Sequence, residues 1–428
     1  MKTDRHQQIF DNIKKSLHEY SAEFHNFAFD PENPVVRLHE PTFAAEEISA
    51  AIEPMLTTFV TMGKKVKKFE GEYSNKFDHK YSLMNNSGSS ANLLAVSALA
   101  NPLTKNRLNP GDEVIVPALS WSTTVWPLIQ NNLVPVIVDA DPKTWNLDLE
   151  KLEKAITPKT KAIMLVHVYG NPCDMDAIMS LAKKYDLQVI EDCCEAMGAS
   201  YKNKAVGKFG RAGTFSLYFS HHITSFEGGI VVTDDFDFIE TMRVLRAHGW
   251  SREAEEHEKY VKMYPEIDPR FIFINIGYNL RPTEMQAAAA SVQLPKLDEI
   301  VEKRRENASF YYEELKNYKN YFKFQNETNN AKSSWFGYGL VIKESAPFKA
   351  SELAIYLKEK NIETRPIIAG NIAKHPVMAH YNHRVSGGTE VSDDIMRNGL
   401  AFGCHQSIDH KAREYVVSSI KEFIKARG

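Results

Sequence analysis

The sequence has 428 residues, more than a single hydrophobic core usually organises, and therefore predicts one large domain and a smaller one. Its 52 Lys and Arg residues nearly balance its 55 Asp and Glu residues, for a formal net charge of −3, and no basic stripe is long enough to follow a phosphate backbone. We therefore expect no nucleic-acid partner.

The N-terminal segment is charged throughout, with Ile9, Ile13, Leu17 and Tyr20 three or four positions apart. This spacing predicts an amphipathic helix rather than a signal peptide. No apolar run approaches about 18 residues, so we expect no membrane interaction. The four cysteines have neither metal-site spacing nor a disulfide-rich pattern, which favours the reducing cytoplasm.

Short β-branched runs alternate with helical patterns over the middle of the chain. The runs lie at 113–117, 134–139, 161–168, 187–192, 214–219 and 229–234. Such alternation predicts an α/β fold with a mostly parallel sheet and helices on both faces.

A long helical stretch at 283–316 precedes a second set of strands and helices, which begins near Ser334 and ends in a helix from about Lys411. We therefore predict a helical extension at 1–40, a large domain at 41–295 and a small C-terminal α/β domain at 296–428.

Three predicted strands end in residues that suit a phosphorylated pyridine cofactor, and ligands of open α/β sheets bind beyond such ends. In "NNSGSSANLL", Ser89 opens a helix whose free amides could hold a phosphate group, although serine is also an ordinary helix cap. Asp192 could keep a pyridine nitrogen protonated or cap the next helix. Trp121 could lie flat on the ring or belong to the core.

Several motifs in one order carry a resemblance over nearly the whole chain. The sequence resembles the sugar aminotransferases of the DegT/DnrJ/EryC1/StrS family, which are fold type I pyridoxal phosphate enzymes. The motifs are "TFVTMGKKVKKFE", "SGSSANLLAVSAL", "GDEVIVPALSWSTTVWPLIQ", "HVYGNPCDMD", "EDCCEAMGA", "FEGGIVVTD", "GYNLRPTEMQAA" and "SSWFGYG".

The resemblance implies roles for individual residues. Asp192 would pair with the pyridine nitrogen and Trp121 would stack on the ring. The cofactor phosphate would be held by Gly88, Ser89 and Ser216. Asn279 would reach in from a neighbouring subunit, which implies a homodimer with shared active sites. Glu195 stands near the ring hydroxyl, where transaminating members usually have a glutamine.

His221 occupies the position of the lysine that transaminating members link covalently to the cofactor. An imidazole cannot form that stable link, so the cofactor would be held non-covalently as pyridoxal or pyridoxamine phosphate. Histidine can accept a proton and return one near neutral pH. The resemblance then implies removal of the 3-hydroxyl of a nucleotide-linked 4-keto-6-deoxy sugar, with ammonia released and L-glutamate regenerating the amine.

The segments "RAHGWSR" and "RPIIAGN" are most similar to the family branch acting on GDP-4-keto-6-deoxymannose. This likeness implies a second active-site histidine at His248. We interpret His222 as structural and turned away from the cofactor. Arg252 and Arg281 could meet the substrate diphosphate bidentately or form ordinary ion pairs.

A second branch carries an iron–sulfur cluster on cysteines of an insertion, and the matching segment 251–277 has no cysteine. We therefore expect Cys193 and Cys194 to be packing residues, and expect neither an iron–sulfur cluster nor another metal.

Four alternatives remain open at this point: a GDP-linked heptose, a CDP-linked hexose, an aminotransferase that uses another lysine such as Lys208, and an inactive sugar-binding relative. In the second domain, His375, His405 and Trp335 either approach the nucleotide-sugar or simply pack.

Overall fold

The structure is a computed structural model that describes residues 2–25, 27–40 and 43–427. The described residues form fourteen α-helices: α1 Lys2–Phe24, α2 Ala45–Leu56, α3 Lys64–Phe77, α4 Gly88–Leu99, α5 Ser122–Gln130, α6 Leu149–Ala155, α7 Met175–Tyr185, α8 Phe236–Arg246, α9 His257–Met263, α10 Glu284–Gln293, α11 Leu297–Leu315, α12 Ala350–Glu359, α13 Glu390–Asn398 and α14 His410–Arg427. They also form fifteen strands: β1 Tyr81–Asn85, β2 Glu113–Pro117, β3 Val134–Val138, β4 Thr160–Val166, β5 Gln188–Asp192, β6 Ser200–Tyr201, β7 Lys204–Ala205, β8 Ala212–Ser216, β9 Gly229–Thr233, β10 Phe322–Phe324, β11 Ala331–Lys332, β12 Tyr338–Ile342, β13 Thr364–Arg365, β14 Arg384–Ser386 and β15 Gly399–Phe402.

The large sheet has the strand order β1-β9-β8-β5-β4-β2-β3-β14. Every neighbouring pair from β8 to β14 is parallel, and β9 alone runs against its two neighbours. The predicted mostly parallel α/β fold is confirmed.

The sheet is covered by helices on both faces because its strands are apolar at nearly every position. In β4, Ala162 and Met164 pack with the α4, α5 and α8 side, while Ile163 and Leu165 pack with α6 and α7. Successive side chains of a strand point to opposite faces, so a continuous apolar run requires a cover on each. The same runs that predict the strands therefore also place the helices.

A second, antiparallel sheet has the order β10-β12-β15-β13 and packs against α11, α12 and α14. It begins at Phe322, earlier than the predicted Ser334. Strand β14 lies within 296–428 but pairs with β3 of the large sheet, and Val36 of the N-terminal segment bridges to Ile362. The chain thus crosses both predicted boundaries, and the division into domains stays a prediction.

The carboxyl ends of β1, β2, β5 and β8 lie at one edge of the large sheet, and the segments that follow them build the site. Strand β8 ends at Ser216, so the predicted strand at 214–219 is too long. The chain turns there because the Tyr218 amide donates to Ser216 Oγ (3.2 Å) and the His221 amide donates to the Tyr218 carbonyl (2.9 Å). The two histidines therefore lie on the connection between β8 and β9, as predicted. None of the helices in the described part of the chain is both long enough and apolar enough to cross a membrane.

Candidate active site

A cavity of about 320 Å³ lies at this edge of the sheet. Its walls come from the large sheet, from the segment that precedes β12, and from the end of β13 with the residues after it. The lining residues are Ser87, Gly88, Ser89, Asn92, Trp121, Thr123, Thr124, Val166, Asp192, Cys194, Glu195, Ser216, Tyr218, Ser220, His221, Glu227, Phe336, Arg365 and Ile368. Seven of the predicted site residues are thus brought together around one space.

The N-terminus of α4 forms one wall. Ser87 caps the helix, its hydroxyl accepting from the Ser90 amide at 3.0 Å. The amides of Gly88 and Ser89 lie in the first helical turn and have no partner in the described chain. A side chain at Gly88 would place its Cβ 2.6 Å from Ser216 Cβ, so the helix backbone lies directly against the end of β8. Two free amides, the positive end of the helix dipole and nearby hydroxyls suit a phosphate group.

Asp192 is the last residue of β5 and lies in the cavity wall. Its Oδ2 accepts hydrogen bonds from Asn92 Nδ2 and Thr124 Oγ1, each at 2.8 Å, and its Oδ1 accepts from the Cys194 amide at 3.1 Å. These donors hold the carboxylate in one orientation. An oriented carboxylate in a cavity wall fits the partner of a protonated pyridine nitrogen.

Trp121 precedes α5 and is 57% exposed, so it is not a core residue. Its ring borders the cavity and is available for stacking on a planar ligand. The tryptophan, the Asp192 carboxylate and the α4 N-terminus together fit a phosphorylated pyridine ring.

Glu195 follows β5 and faces the same cavity. Its Oε2 accepts from the Tyr169 amide at 3.0 Å, and burial raises the pKa of its carboxyl group to about 7, against the opposing attraction of Arg365. Glu195 is therefore substantially protonated near neutral pH. It can donate a hydrogen bond where an ordinary glutamate could only accept one.

His221 is held between a carbonyl and a phenyl ring. Its Nδ1 lies 2.6 Å from the Cys194 carbonyl oxygen, and its ring centroid lies 4.8 Å from that of Phe336. A carbonyl can only accept, so Nδ1 carries the hydrogen of the neutral ring and Nε2 carries the lone pair. Burial lowers the pKa of His221 to about 4, so the neutral base form prevails at neutral pH.

His222 points into the protein instead. It is fully buried, its Nε2 lies 3.0 Å from the Ser334 carbonyl oxygen, and it is absent from the cavity wall. Burial holds the pKa of His222 well below its ordinary value. This placement agrees with the structural role predicted for it.

Four predicted site residues lie around Trp250 rather than on this cavity. The His248 ring centroid is 4.7 Å from that of Trp250, and the guanidinium of Arg252 lies 4.0 Å over the same ring. The Arg281 guanidinium is 5.8 Å from it and donates to Asn279 Oδ1 at 3.0 Å. Within one chain, this Trp250 cluster and the cavity are separate groups, and the roles of its members stay predictions.

The other candidates make ordinary packing contacts. His405 is buried and its Nε2 lies 3.1 Å from the Arg37 carbonyl oxygen, while His375 Nε2 lies 2.9 Å from that of Ala369. The Trp335 ring packs against Tyr338. Lys208 pairs with Asp78, with 2.6 Å between Nζ and Oδ2. None of these residues lines the cavity.

Sequence reasoning missed several residues of the wall. Asn92 and Thr124 hold Asp192, and Phe336 and Arg365 approach from the second half of the chain. Asn92 could have been found, since it lies one helical turn after Gly88 on the face that the helix N-terminus presents. Phe336 and Arg365 carry no such local signal, although each falls within a quoted motif.

A second titratable cluster, formed by His167, Glu191 and Cys193, lies inside the fold. The His167 Nδ1 accepts from the Cys173 amide at 3.0 Å, and its Nε2 lies 3.2 Å from Glu191 Oε2. The Glu191 carboxylate also accepts from three amides of the loop at 207–210. These hydrogen bonds satisfy the buried Glu191 carboxylate and hold the loop at 207–210 against the sheet.

The fold and the cavity define a class of protein. A mostly parallel sheet carries a helix N-terminus, an oriented aspartate and a stacking aromatic ring at its carboxyl edge, and this is the arrangement of fold type I pyridoxal phosphate enzymes. Residues 41–421 match the model of the DegT/DnrJ/EryC1/StrS aminotransferase family. The chain belongs to that family.

Similar proteins cover almost the whole chain. GDP-4-keto-6-deoxy-D-mannose 3-dehydratase of Yersinia pseudotuberculosis is 43% identical over 373 residues, which are 86% of this chain and 94% of the relative. A crystal structure of a GDP-4-keto-6-deoxymannose-3-dehydratase mutant with bound GDP-perosamine is 37% identical, with a TM-score of 0.84 over 90% of this chain and 100% of that one. Another, with a trapped PLP-glutamate geminal diamine, is 37% identical, with a TM-score of 0.82 over 89% and 99%.

Proposed function

We propose that the protein is a pyridoxal/pyridoxamine phosphate-dependent dehydratase that removes the 3-hydroxyl of a nucleotide-linked 4-keto-6-deoxy sugar. GDP-4-keto-6-deoxymannose or a close relative is the substrate, and a 4-keto-3-deoxy sugar and ammonia are the products. One observation carries the proposal: a neutral imidazole, His221, stands on the cofactor cavity where transaminating members have a lysine. The relatives named for this reaction support it.

The cavity residues would hold the cofactor at three points. The amides of Gly88 and Ser89, with Ser216, would bind its phosphate, while Trp121 would cover one face of its ring. Asp192 would bind the ring nitrogen, with Asn92 and Thr124 keeping the carboxylate in place. When bound, the cofactor supplies an electron sink, because a pyridinium nitrogen kept protonated by a carboxylate draws off the electrons that proton removal releases.

The His221 Nε2 is the proton-transfer atom of the reaction. The bond from Nδ1 to the Cys194 carbonyl fixes the tautomer, so Nε2 can accept the proton whose removal starts the elimination. The resulting imidazolium returns a proton to the departing 3-hydroxyl. No described lysine lines the cavity, so no amine of this chain competes for the cofactor aldehyde.

L-Glutamate is the amino donor in this proposal and returns the cofactor to its amine form. The solved relative with a trapped PLP-glutamate adduct supports this assignment. The relative with bound GDP-perosamine supports a GDP-linked sugar. A GDP-linked heptose and a CDP-linked hexose are the alternative substrates.

The protein acts as a homodimer with shared sites in this proposal. The insertion at 251–277 presents an apolar surface, with Phe271 and Phe273 each 54% exposed and Ile276 90% exposed, which is unusual for a surface facing water. The Trp250 cluster adjoins this surface, so pairing of two chains could bring His248, Asn279 and Arg281 to the partner's cavity.

Neither the aminotransferase alternative through Lys208 nor an inactive relative gains support, because Lys208 is paired elsewhere and the catalytic wall is intact.

The proposal is tested with holoenzyme loaded with pyridoxamine phosphate and mixed once with GDP-4-keto-6-deoxymannose. We expect formation of the 3-deoxy sugar by the wild type and a loss of at least about 100-fold in His221→Asn. Asparagine can keep a hydrogen bond to the Cys194 carbonyl but offers no base at the position of Nε2. Its sugar binding, measured by calorimetry, should remain.

The matched control is His222→Gln, whose side-chain amide can still donate to the Ser334 carbonyl. We expect it to retain dehydration within a few-fold. Equal loss in the two variants would assign His221 to packing, and transfer of an amino group to the sugar by the wild type would refute dehydration.

A further inference from the structure

We propose that Arg304, a buried arginine of α11, is a positioning residue for the dehydration step. It does not line the cavity. It acts by holding the backbone that carries Phe336, whose ring packs on the imidazole of His221. The inference rests on the proposed function, because it takes His221 as the group that transfers the proton.

Arg304 is an unusual side chain to bury. It is 2% exposed, and no described carboxylate lies within ion-pairing distance of its guanidinium. Its Nε makes no hydrogen bond within the described residues. Burial lowers the pKa of Arg304 to about 10, so the group is still charged at neutral pH. An apolar side chain would fill the same space with less loss of stability, so the guanidinium points to a specific contact.

That contact is with the segment 333–336, which precedes β12. Arg304 Nη1 donates to the Phe336 carbonyl at 2.9 Å and to the Trp335 carbonyl at 3.3 Å. Trp335 has a φ of 48°, in the left-handed region that a bulky residue adopts only when its surroundings hold it there. Arg304 therefore stabilises a strained backbone conformation at the residue directly before Phe336.

Phe336 carries this restraint into the cavity. Its amide donates to the Tyr169 carbonyl at 2.9 Å, so its backbone is held on both sides. Its ring lines the cavity, with its centroid 4.8 Å from that of His221. The Cys194 carbonyl holds Nδ1 of the same imidazole. Phe336 is thus the second contact that orients Nε2, and a displacement of about 1 Å at such a group can slow a reaction by about 100-fold.

The charge of Arg304 acts on His221 as well. Burial is the main cause of the lowered pKa of His221, and Arg365, Arg304 and the half-buried His39 lower it further. Loss of the Arg304 charge should therefore make the imidazolium easier to form and raise this pKa. The other titratable side chains that share the cavity or the connection with His221 are Tyr218, His222, Asp192, Cys194, Glu195 and Glu227, and Arg304 also faces Cys404, His222 and His405.

Three substitutions separate the hydrogen bonds of Arg304 from its charge. Arg304→Lys keeps donors and charge, Arg304→Gln keeps a donor without charge, and Arg304→Met keeps neither. The matched control is Arg413→Met, which removes a half-buried arginine of α14 that packs 4.7 Å over the ring of Phe310 in α11. Arg413 donates to Asn307 and has no hydrogen bond to the segment 333–336 in the described chain.

The first readout is the single-turnover rate of dehydration by holoenzyme loaded with pyridoxamine phosphate, at saturating sugar and between pH 4 and 8, with sugar affinity measured by calorimetry. The second is an NMR titration of pyridoxal phosphate holoenzyme that carries isotope-labelled histidine. The His221 resonance is the one missing from the spectrum of His221→Asn, and this readout needs no turnover. Thermal unfolding shows whether each variant keeps the fold.

We expect Arg304→Met to lower the rate at pH 7.5 by at least about 10-fold while sugar affinity stays within about threefold, because the lost contact orients the proton-transfer atom and not the sugar. In Arg304→Met and Arg304→Gln, the titration midpoint of His221 and the acid limb of the rate should both rise by at least about 1 pH unit, as removal of a nearby buried charge should. Arg304→Lys and Arg413→Met should stay within about threefold of the wild-type rate and keep its midpoint.

An unchanged rate in Arg304→Met, or an equal loss in Arg413→Met, would overturn the inference. A slower Arg304→Met with an unmoved His221 midpoint would do so too, because it would make Arg304 a general structural residue. If Arg304→Met does not fold, the His221 midpoint in Arg304→Gln decides. If the wild type dehydrates no sugar, the proposed function fails, yet the His221 titration still decides whether Arg304 acts on that imidazole.

Discussion

Acid tolerance of the dehydration step is the sharpest consequence of the His221 environment. Burial disfavours the imidazolium, and Arg365 and Arg304 add to this effect, so the pKa of His221 falls to about 4 despite the opposing hydrogen bond to the Cys194 carbonyl. A base must be unprotonated to act, and a lowered pKa extends its active form to lower pH. At pH 5.5 a group with a pKa of about 4 is roughly 97% neutral, whereas an unperturbed imidazole with a pKa of about 6.5 is only about 9% neutral.

The assay is the single-turnover rate of 3-deoxy sugar formation by amine-loaded holoenzyme between pH 5 and 8. Between pH 7.5 and 5.5 we expect the rate to change by less than about twofold, where an unperturbed histidine would cost about tenfold. As a control for acid inactivation, enzyme held at low pH is returned to pH 7.5 before it is mixed with the sugar. A reversible fall centred near pH 6.5 would refute the conclusion that burial sets the state of His221.

Three further predictions concern the cofactor site and its surroundings. Burial raises the pKa of Glu195 from an ordinary 4.5 to about 7, so the free energy of unfolding of the wild type falls as pH rises through that window. Between pH 4.5 and 8, the free energy of unfolding of Glu195→Gln should therefore rise by up to about 3 kcal/mol relative to that of the wild type, measured by urea unfolding of apoprotein. A difference between the two proteins that does not change with pH would contradict this prediction. Gly88→Ala should weaken cofactor binding at least about tenfold in a spectroscopic titration because its Cβ would meet Ser216, whereas Gly71→Ala, with open space around it, should not. Lys208→Met should retain dehydration and leave the cofactor non-covalent, and its inactivity in a folded protein would restore the lysine-dependent alternative.

The parts of the site that follow a strand directly could be predicted from the sequence. Gly88 and Asp192 lie at or just beyond strand ends, and parallel strands bring such ends to one edge. The turn that carries His221 follows from its place between two apolar runs. Local patterns of apolar runs and turns were sufficient for these elements.

The remaining wall depends on how the two halves of the chain pack. Arg365 lies 170 residues after Glu195 in the sequence, and their approach follows from the packing of β13 near Tyr169, which no local pattern reports. The orientation of His221 likewise depends on the Cys194 carbonyl and on Phe336, which arrive from different segments. The pairing of β14 with β3 was missed for the same reason, since a strand of three residues has little periodicity to detect.

The central claim is that His221 directs the family chemistry to dehydration. Its most direct test is the mass of the sugar formed from GDP-4-keto-6-deoxymannose by wild-type protein with pyridoxal phosphate and excess glutamate, together with the ammonia released. We predict a product sugar that lacks one hydroxyl oxygen, and the release of one free ammonia for each sugar formed. A sugar that keeps its 3-hydroxyl and gains an amine, without free ammonia, would contradict the account.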